Sequence, residues 1–84
     1  MKLLAFSVYD SKAEVYGTPI FFATKGLATR AFEDQCNKSD SPIAQHPGDF
    51  TLFHVGEFDV DTGKFETLAT PASLGTGVEY VRGD

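Results

Sequence analysis

The sequence contains no Trp, one Cys, one Met and two His among its 84 residues. A lone Cys36 excludes an intramolecular disulfide, so the core alone must hold the fold, and it suits a reducing compartment such as the cytosol. Cations are also scarce. Seven Lys and Arg stand against twelve Asp and Glu, a net charge of −5, which disfavours nonspecific binding to anionic polymers and excludes a wholly basic nucleic-acid coat. No apolar run approaches the ~18 residues that a membrane-spanning helix needs. The apolar start at Met1 is interrupted by Ser7, Tyr9, Asp10 and Lys12 before the ~7–15-residue core of a secretion signal is complete. The expectation is a soluble protein with no membrane partner.

So short a chain supports one small domain, residues 1–84, and excludes multidomain enzymes. With 42% hydrophobic and 13% aromatic residues, eight of them Phe, there is enough apolar material for a compact core.

Lys2 to Tyr9 alternates Leu4, Phe6 and Val8 with Leu3, Ala5, Ser7 and Tyr9, the two-residue period of a strand with bulk on both faces. Val15 to Phe22 is rich in strand formers but broken by Gly17 and Pro19, and reads as an edge strand or extended arm. Thr24 is a suitable N-cap for a helix from about Lys25 to Asn37, whose apolar face carries Leu27, Ala28, Ala31, Phe32, Gln35 and Cys36. Ser41-Pro42 starts a second, single-turn helix through Gln45. Phe50 to Phe58 reads as a strand with Phe50, Leu52, His54, Gly56 and Phe58 on one face. Asp59 to Lys64 forms a hairpin turn in which Gly63 takes positive φ, and Phe65 to Leu68 returns as the partner strand. Thr70 to Gly75 reads as a capped helical turn, and Val78 to Arg82 as a last strand. The sum is an α+β fold, a small, mainly antiparallel sheet with one main helix packed on one face. One helix leaves the second sheet face for a partner, and abundant Phe makes a homodimer the expected occupant.

No chemical motif emerges. Asp59-Val60-Asp61 imitates a calcium loop, but Lys64 and Thr70 stand where such a loop requires Gly and a bidentate Glu. Cys36 falls on the apolar helix face, where it acts as a small apolar side chain, while His46 lies in a Pro-Gly turn and His54 on a strand. No metal, cofactor or catalytic site is expected, and the protein reads as a non-enzyme.

The distribution of charge says more than its total. Residues 1–32 carry +2, from Lys2, Lys12, Lys25 and Arg30 against Asp10 and Glu14. Residues 33–84 carry −7, three cations against ten carboxylates. The basic third also holds Phe6, Tyr9, Tyr16, Phe21 and Phe22, and cations interleaved with π faces are what single-stranded nucleic acid uses. Lys12, Tyr16, Lys25 and Arg30 are therefore the candidate nucleic-acid contacts, with Lys25 and Arg30 reaching phosphate near the helix start. The competing reading makes the aromatics core and the cations a solvated rim.

Five segments in one order then carry a likeness: Tyr16 to Phe22, Lys25 to Phe32, His46-Pro47-Gly48-Asp49-Phe50, Gly56-Glu57-Phe58-Asp59, and Pro71-Ala72-Ser73-Leu74-Gly75. Together they resemble the small nonstructural protein of gokushoviruses, single-stranded DNA phages of the Microviridae. The resemblance implies a non-enzymatic accessory protein, comparable to the microvirus C protein, working in the host bacterial cytoplasm and absent from the mature virion. It also implies a role at the switch to single-stranded genome synthesis and packaging, with the viral replication initiator, the procapsid and single-stranded viral DNA as partners. The alternative is a protein-only adaptor that docks the initiator to the procapsid without touching DNA. No binding residue is carried over by the resemblance.

Overall fold

The computed structural model describes residues 1–82. Its strands are β1 (Lys2–Asp10), β2 (Val15–Tyr16), β3 (Ile20–Phe22), β4 (Phe50–Asp59) and β5 (Phe65–Thr76), with helices α1 (Lys25–Cys36) and α2 (Pro42–Gln45) between β3 and β4. All pairings are antiparallel, in the order β2-β1-β4-β5, and β3 pairs with β1 on the same edge as β2. The segment broken by Gly17 and Pro19 is thus one interrupted edge strand. Its gap is tied back by the Ser7 hydroxyl, which donates to the Gly17 carbonyl at 2.7 Å, and by the Gly17 amide, which donates to Val8.

Helix α1 starts where expected, with Thr24 Oγ1 accepting from the Leu27 amide at 3.2 Å. It ends one residue earlier than predicted, because Asn37 serves as the C-cap. Ala28, Phe32 and Cys36 are buried against Phe6 of β1 and Leu52 of β4. Their i, i+4, i+8 spacing puts them on one stripe. Leu27 lies at the margin of that stripe and stays exposed, while Ala31 and Gln35 line a half-open apolar groove of about 280 Å³ between α1 and the sheet. Ser41 caps α2 by accepting from Ile43 at 3.2 Å, and Pro42 stands at its first position.

Strand β4 departs from simple alternation. Phe6 pairs with His54 but Ala5 pairs with Gly56, so Val55 is an extra residue and a bulge. Beyond a bulge the side-chain phase reverses. Phe50, Leu52 and His54 keep to the helix side as predicted, but Gly56 and Phe58 move to the opposite face and Glu57 takes their place. Buried His54 stacks on Phe6 with ring centroids 5.3 Å apart and hydrogen-bonds the Gly56 carbonyl at 3.0 Å through Nε2.

Two further expectations are corrected. Thr70 to Gly75 is part of strand β5 and not a helical turn. The register jumps from Gly56 opposite Thr67 to His54 opposite Ala72, so residues 68–71 bulge out against Val55 alone, and Pro71 sits where no ladder amide is needed. Val78 to Arg82 is not a strand either: a 3-10 turn spans Gly77–Glu79, with Glu79 accepting from the Thr76 amide at 2.6 Å. The segment then folds onto the end of α1, where the Asn37 side chain donates to the Tyr80 carbonyl at 3.0 Å and accepts from the Arg82 amide at 2.8 Å. The arrangement is the expected small α+β fold with one main helix on one face of an antiparallel sheet.

Candidate functional site

Strand alternation fixes what each sheet face carries. Leu4, Phe6 and Val8 point toward α1 and pack with its core, so Leu3, Ala5, Ser7 and Tyr9 point away. Register extends this assignment across the sheet: Phe58 is opposite Leu3, Phe21 and Gly56 are opposite Ala5, Phe53 is opposite Ser7, and Tyr16 is opposite Tyr9. Phe65, opposite Phe58, completes the set. Neither α1 nor α2 covers this face. The molecule is 18 Å in its thinnest direction, which a helix of about 10–12 Å and one sheet already fill.

The aromatics on the open face form two clusters. At one end Tyr9, Tyr16 and Phe53 lie with ring centroids 4.7 to 6.4 Å apart. At the other, Phe58 packs on Phe65 at 4.7 Å and on Phe21 at 6.0 Å. Phe21 and Phe65 come from opposite edges of the sheet yet meet at 6.0 Å across the two central strands. Their rings shield Leu3 and Ala5, which explains why Ala5 is buried on a face without a helix. The shielding stays partial, with Tyr16 at 49%, Phe21 at 37% and Phe65 at 64% exposure.

Charge is sorted between the faces. The strands carry Lys2, Asp10, Glu57, Asp59 and Glu66. Register puts every one of them on the helix side: Lys2 opposite Asp59, Leu4 opposite Glu57, Glu57 opposite Glu66, and Asp10 opposite Phe50. Lys2 there lies 3.7 Å from Glu57 and 4.0 Å from Glu66. The open face has no charged strand residue. Lysines occur only in its bordering turns, Lys12 between β1 and β2 and Lys64 between β4 and β5. Lys12 is held in a fixed turn, since Asp10 Oδ1 accepts from the amides of Lys12 at 2.9 Å and Ala13 at 3.2 Å, and Glu14 takes a φ of 60° to close it.

The four residues singled out from sequence do not converge. Lys12 and Tyr16 border and occupy the open face at its Tyr9 end. Lys25 and Arg30 are exposed on α1, on the other side of the sheet. Sequence reading passed over Phe53, Phe58 and Phe65 as site residues because they lie in the acidic two-thirds. The available signal was the alternation in β1, whose Leu3 and Tyr9 already required a second apolar face.

The remaining reactive groups are quiet. Burial pushes the Cys36 thiol up from its ordinary value, with the Glu33 carboxylate adding to the effect, so it stays protonated and unreactive. Desolvation, then Glu79, likewise raises the Tyr80 phenol, which donates to the Leu74 carbonyl. Among the described residues no three His, Cys, Asp or Glu side chains gather as metal ligands.

Comparison with known proteins gives the family. The family model described as Phage ORF5 protein matches residues 3–80. The chain belongs to the phage ORF5 protein family. Protein ORF5 of Chlamydia phage 1, a gokushovirus of the Microviridae, is 39% identical over 69 residues, covering 77% of this chain and 72% of that protein. The gokushovirus resemblance read from the five sequence segments is therefore borne out. No solved structure matches the chain. For the ORF5 family member described here, the open aromatic face is the surface with the clearest capacity to bind something.

Proposed function

We propose that this ORF5 protein is a non-enzymatic accessory factor of viral single-stranded DNA synthesis and packaging. It works in the host bacterial cytoplasm, stays out of the finished virion, and engages single-stranded viral DNA as it leaves the replication complex for the procapsid. The observation that carries the reading is the open sheet face, with Tyr16, Phe21 and Phe65 exposed on it. Unpaired bases stack on such rings whatever their sequence, at about 1–3 kcal/mol per base. Duplex DNA keeps its bases stacked on each other and offers such a surface nothing. Lys12 and Lys64 at the rim supply the phosphate contacts. So few cations imply a shallow salt dependence, since each phosphate neutralised on a single strand contributes only about −0.7 to the log–log slope.

The test is titration of a labelled single-stranded oligonucleotide by anisotropy across a salt series. Saturable binding at micromolar protein is expected, weakened about 5- to 150-fold by Tyr16→Ala, the equivalent of one lost stack. The K25E/R30E double variant should bind like the parent. Loss of binding in that double variant, with Tyr16→Ala unaffected, would move the contact to α1. Absence of saturable binding would end the DNA reading.

A second reading is favoured by the missing charge on the open face together with the net −5. In it the protein is an adaptor that docks the replication initiator to the procapsid through protein contacts alone. Nuclease-treated pull-downs from infected cells decide it: recovery of initiator or capsid protein supports the adaptor, and recovery of neither counts against it.

A further inference from the structure

We propose that two copies of this chain pair face to face through the open sheet surface, and that single-stranded DNA competes with the second copy for it. The competition, though not the pairing, rests on the DNA reading above.

Charge selects the occupant. Each copy carries −5, so two copies repel across most of their surface, and in a two-fold interface identical charges would meet near the axis. The open face is free of this penalty, because all five charged strand residues project from the other side. Two copies can approach there without burying a single strand carboxylate or ammonium group.

Shape selects it too. Tyr9, Tyr16 and Phe53 form one ridge across the strands, and Phe21, Phe58 and Phe65 form another. Phe53 is registered on Ser7 and Phe21 on Ala5, two residues apart along β1, or roughly 7 Å at about 3.3 Å per residue, so the two clusters adjoin. The floor beneath and beside these rings is Ala5, Ser7 and Gly56, all buried and small. The Ser7 hydroxyl is already spent on Gly17, so the floor presents no unpaired side-chain polar group. The result is a continuous apolar strip along the sheet, on which two copies can lay aromatic ring against aromatic ring.

Area allows the pairing and limits its strength. Strands β1 and β4, of nine and ten residues, flanked by β5 of twelve and by β2 and β3 of two and three, give a footprint of roughly 570 Å² per copy and about 1,100 Å² in all at ordinary strand spacings. That lies just above the ~1,000 Å² expected of a specific interface and below the typical stable one. The pair is therefore exchangeable, assembling in the micromolar range, and a surface that can be given up is what a competing ligand requires.

Sedimentation of the full chain over a concentration series tests the pairing. A monomer–dimer equilibrium in the micromolar range is expected. Phe65→Glu and Tyr16→Glu, each placing a carboxylate within the otherwise uncharged pairing surface, should leave a monomer at every concentration with an unchanged far-ultraviolet spectrum and a cooperative melt. Leu27→Glu, on the helix side, should leave the dimer intact. A parent chain that stays monomeric at hundreds of micromolar, or a dimer abolished by Leu27→Glu and not by the open-face variants, overturns the proposal. Adding a short single-stranded oligonucleotide to the dimer tests the competition. Conversion to a DNA-bound monomer supports it, and a dimer that carries DNA overturns the competition while leaving the pairing in place.

Discussion

Phe32 is where the attachment of helix to sheet is most directly measured. Its ring is buried among Phe6, Ala28, Cys36 and Leu52 and meets Tyr80 edge-on, with centroids 5.5 Å apart at 83°. Phe32→Ala removes a buried aromatic, which costs about 3–5 kcal/mol, with the upper part of that range reached where the surroundings cannot collapse into the void. Here the space left would merge with the existing groove of about 280 Å³, whose sheet-side wall of Phe6, Val8, Phe22 and Leu52 is held by the ladder. The edge-on pair with Tyr80, worth ~0.5–1.5 kcal/mol, is lost as well. We expect about 4 kcal/mol, a large part of the roughly 4–13 kcal/mol that a chain of this size has in total. The fall in Tm should be roughly 15–30 °C. Urea and thermal melts followed by circular dichroism measure it, with Phe32→Leu, a more volume-conserving change costing about 1.5 kcal/mol or less, as the companion. A loss under ~1 kcal/mol for Phe32→Ala would refute the docking of α1 through this stripe.

Two other expectations concern β4 and its turn. Gly56→Ala would bring a Cβ within 2.6 Å of the Glu66 carbonyl and 3.3 Å of Thr67 Cα, so β5 must shift; a loss of about 1–3 kcal/mol in a urea melt is expected, and no loss would mean that the β4–β5 ladder is looser than described. The Asp61 amide, followed by that of Thr62 and by the nearby positive charges, holds the Asp59 carboxyl below its ordinary 3.8. A depressed folded value means stability that is present above 3.8 and lost as pH falls through the folded value; Asp59→Asn should flatten that acid limb of the Tm-against-pH curve, and an unchanged limb would show that other carboxylates produce it.

What was legible in the sequence was local. Thr24 and Ser41 announced their caps because a hydroxyl at a helix start has a nearby amide to satisfy, and Gly63, at φ 74°, announced the hairpin because the turn needs positive φ. Leu3 and Tyr9, out of phase with Phe6, announced a second apolar face. What was not legible depends on partners distant along the chain. Nothing in the run Phe53-His54-Val55-Gly56 marks Val55 as the extra residue, since the bulge is defined only against Ala5 and Phe6. Thr70-Pro71 reads as the start of a capped helical turn, yet the strand accommodates Pro71 because the ladder amide it lacks is not required in a stretch that faces Val55 alone. The tail after Thr76 had strand composition, but Asn37, some 43 residues earlier, captures it. The basic third of the sequence was real as composition, yet folding divides it, sending Tyr16 to one side of the sheet and Lys25 with Arg30 to the other.

The central place of β1 also has a bearing on how the molecule is made. Strand β1 is paired on one edge by β2 and β3, which follow within a dozen residues, and on the other by β4, which begins at Phe50. At a synthesis rate of about 5–20 residues per second, the second edge of β1 stays unpaired for roughly 2–10 s while α1 and α2 emerge. During that interval the nascent chain offers a free strand edge to any neighbour on the same message. Closure by β4 is therefore the step that commits the chain, and long-range antiparallel closure of this kind sets a folding time in milliseconds to seconds, not microseconds. The supply of folded molecules is therefore limited by the second half of each chain to be translated, whose arrival closes the sheet.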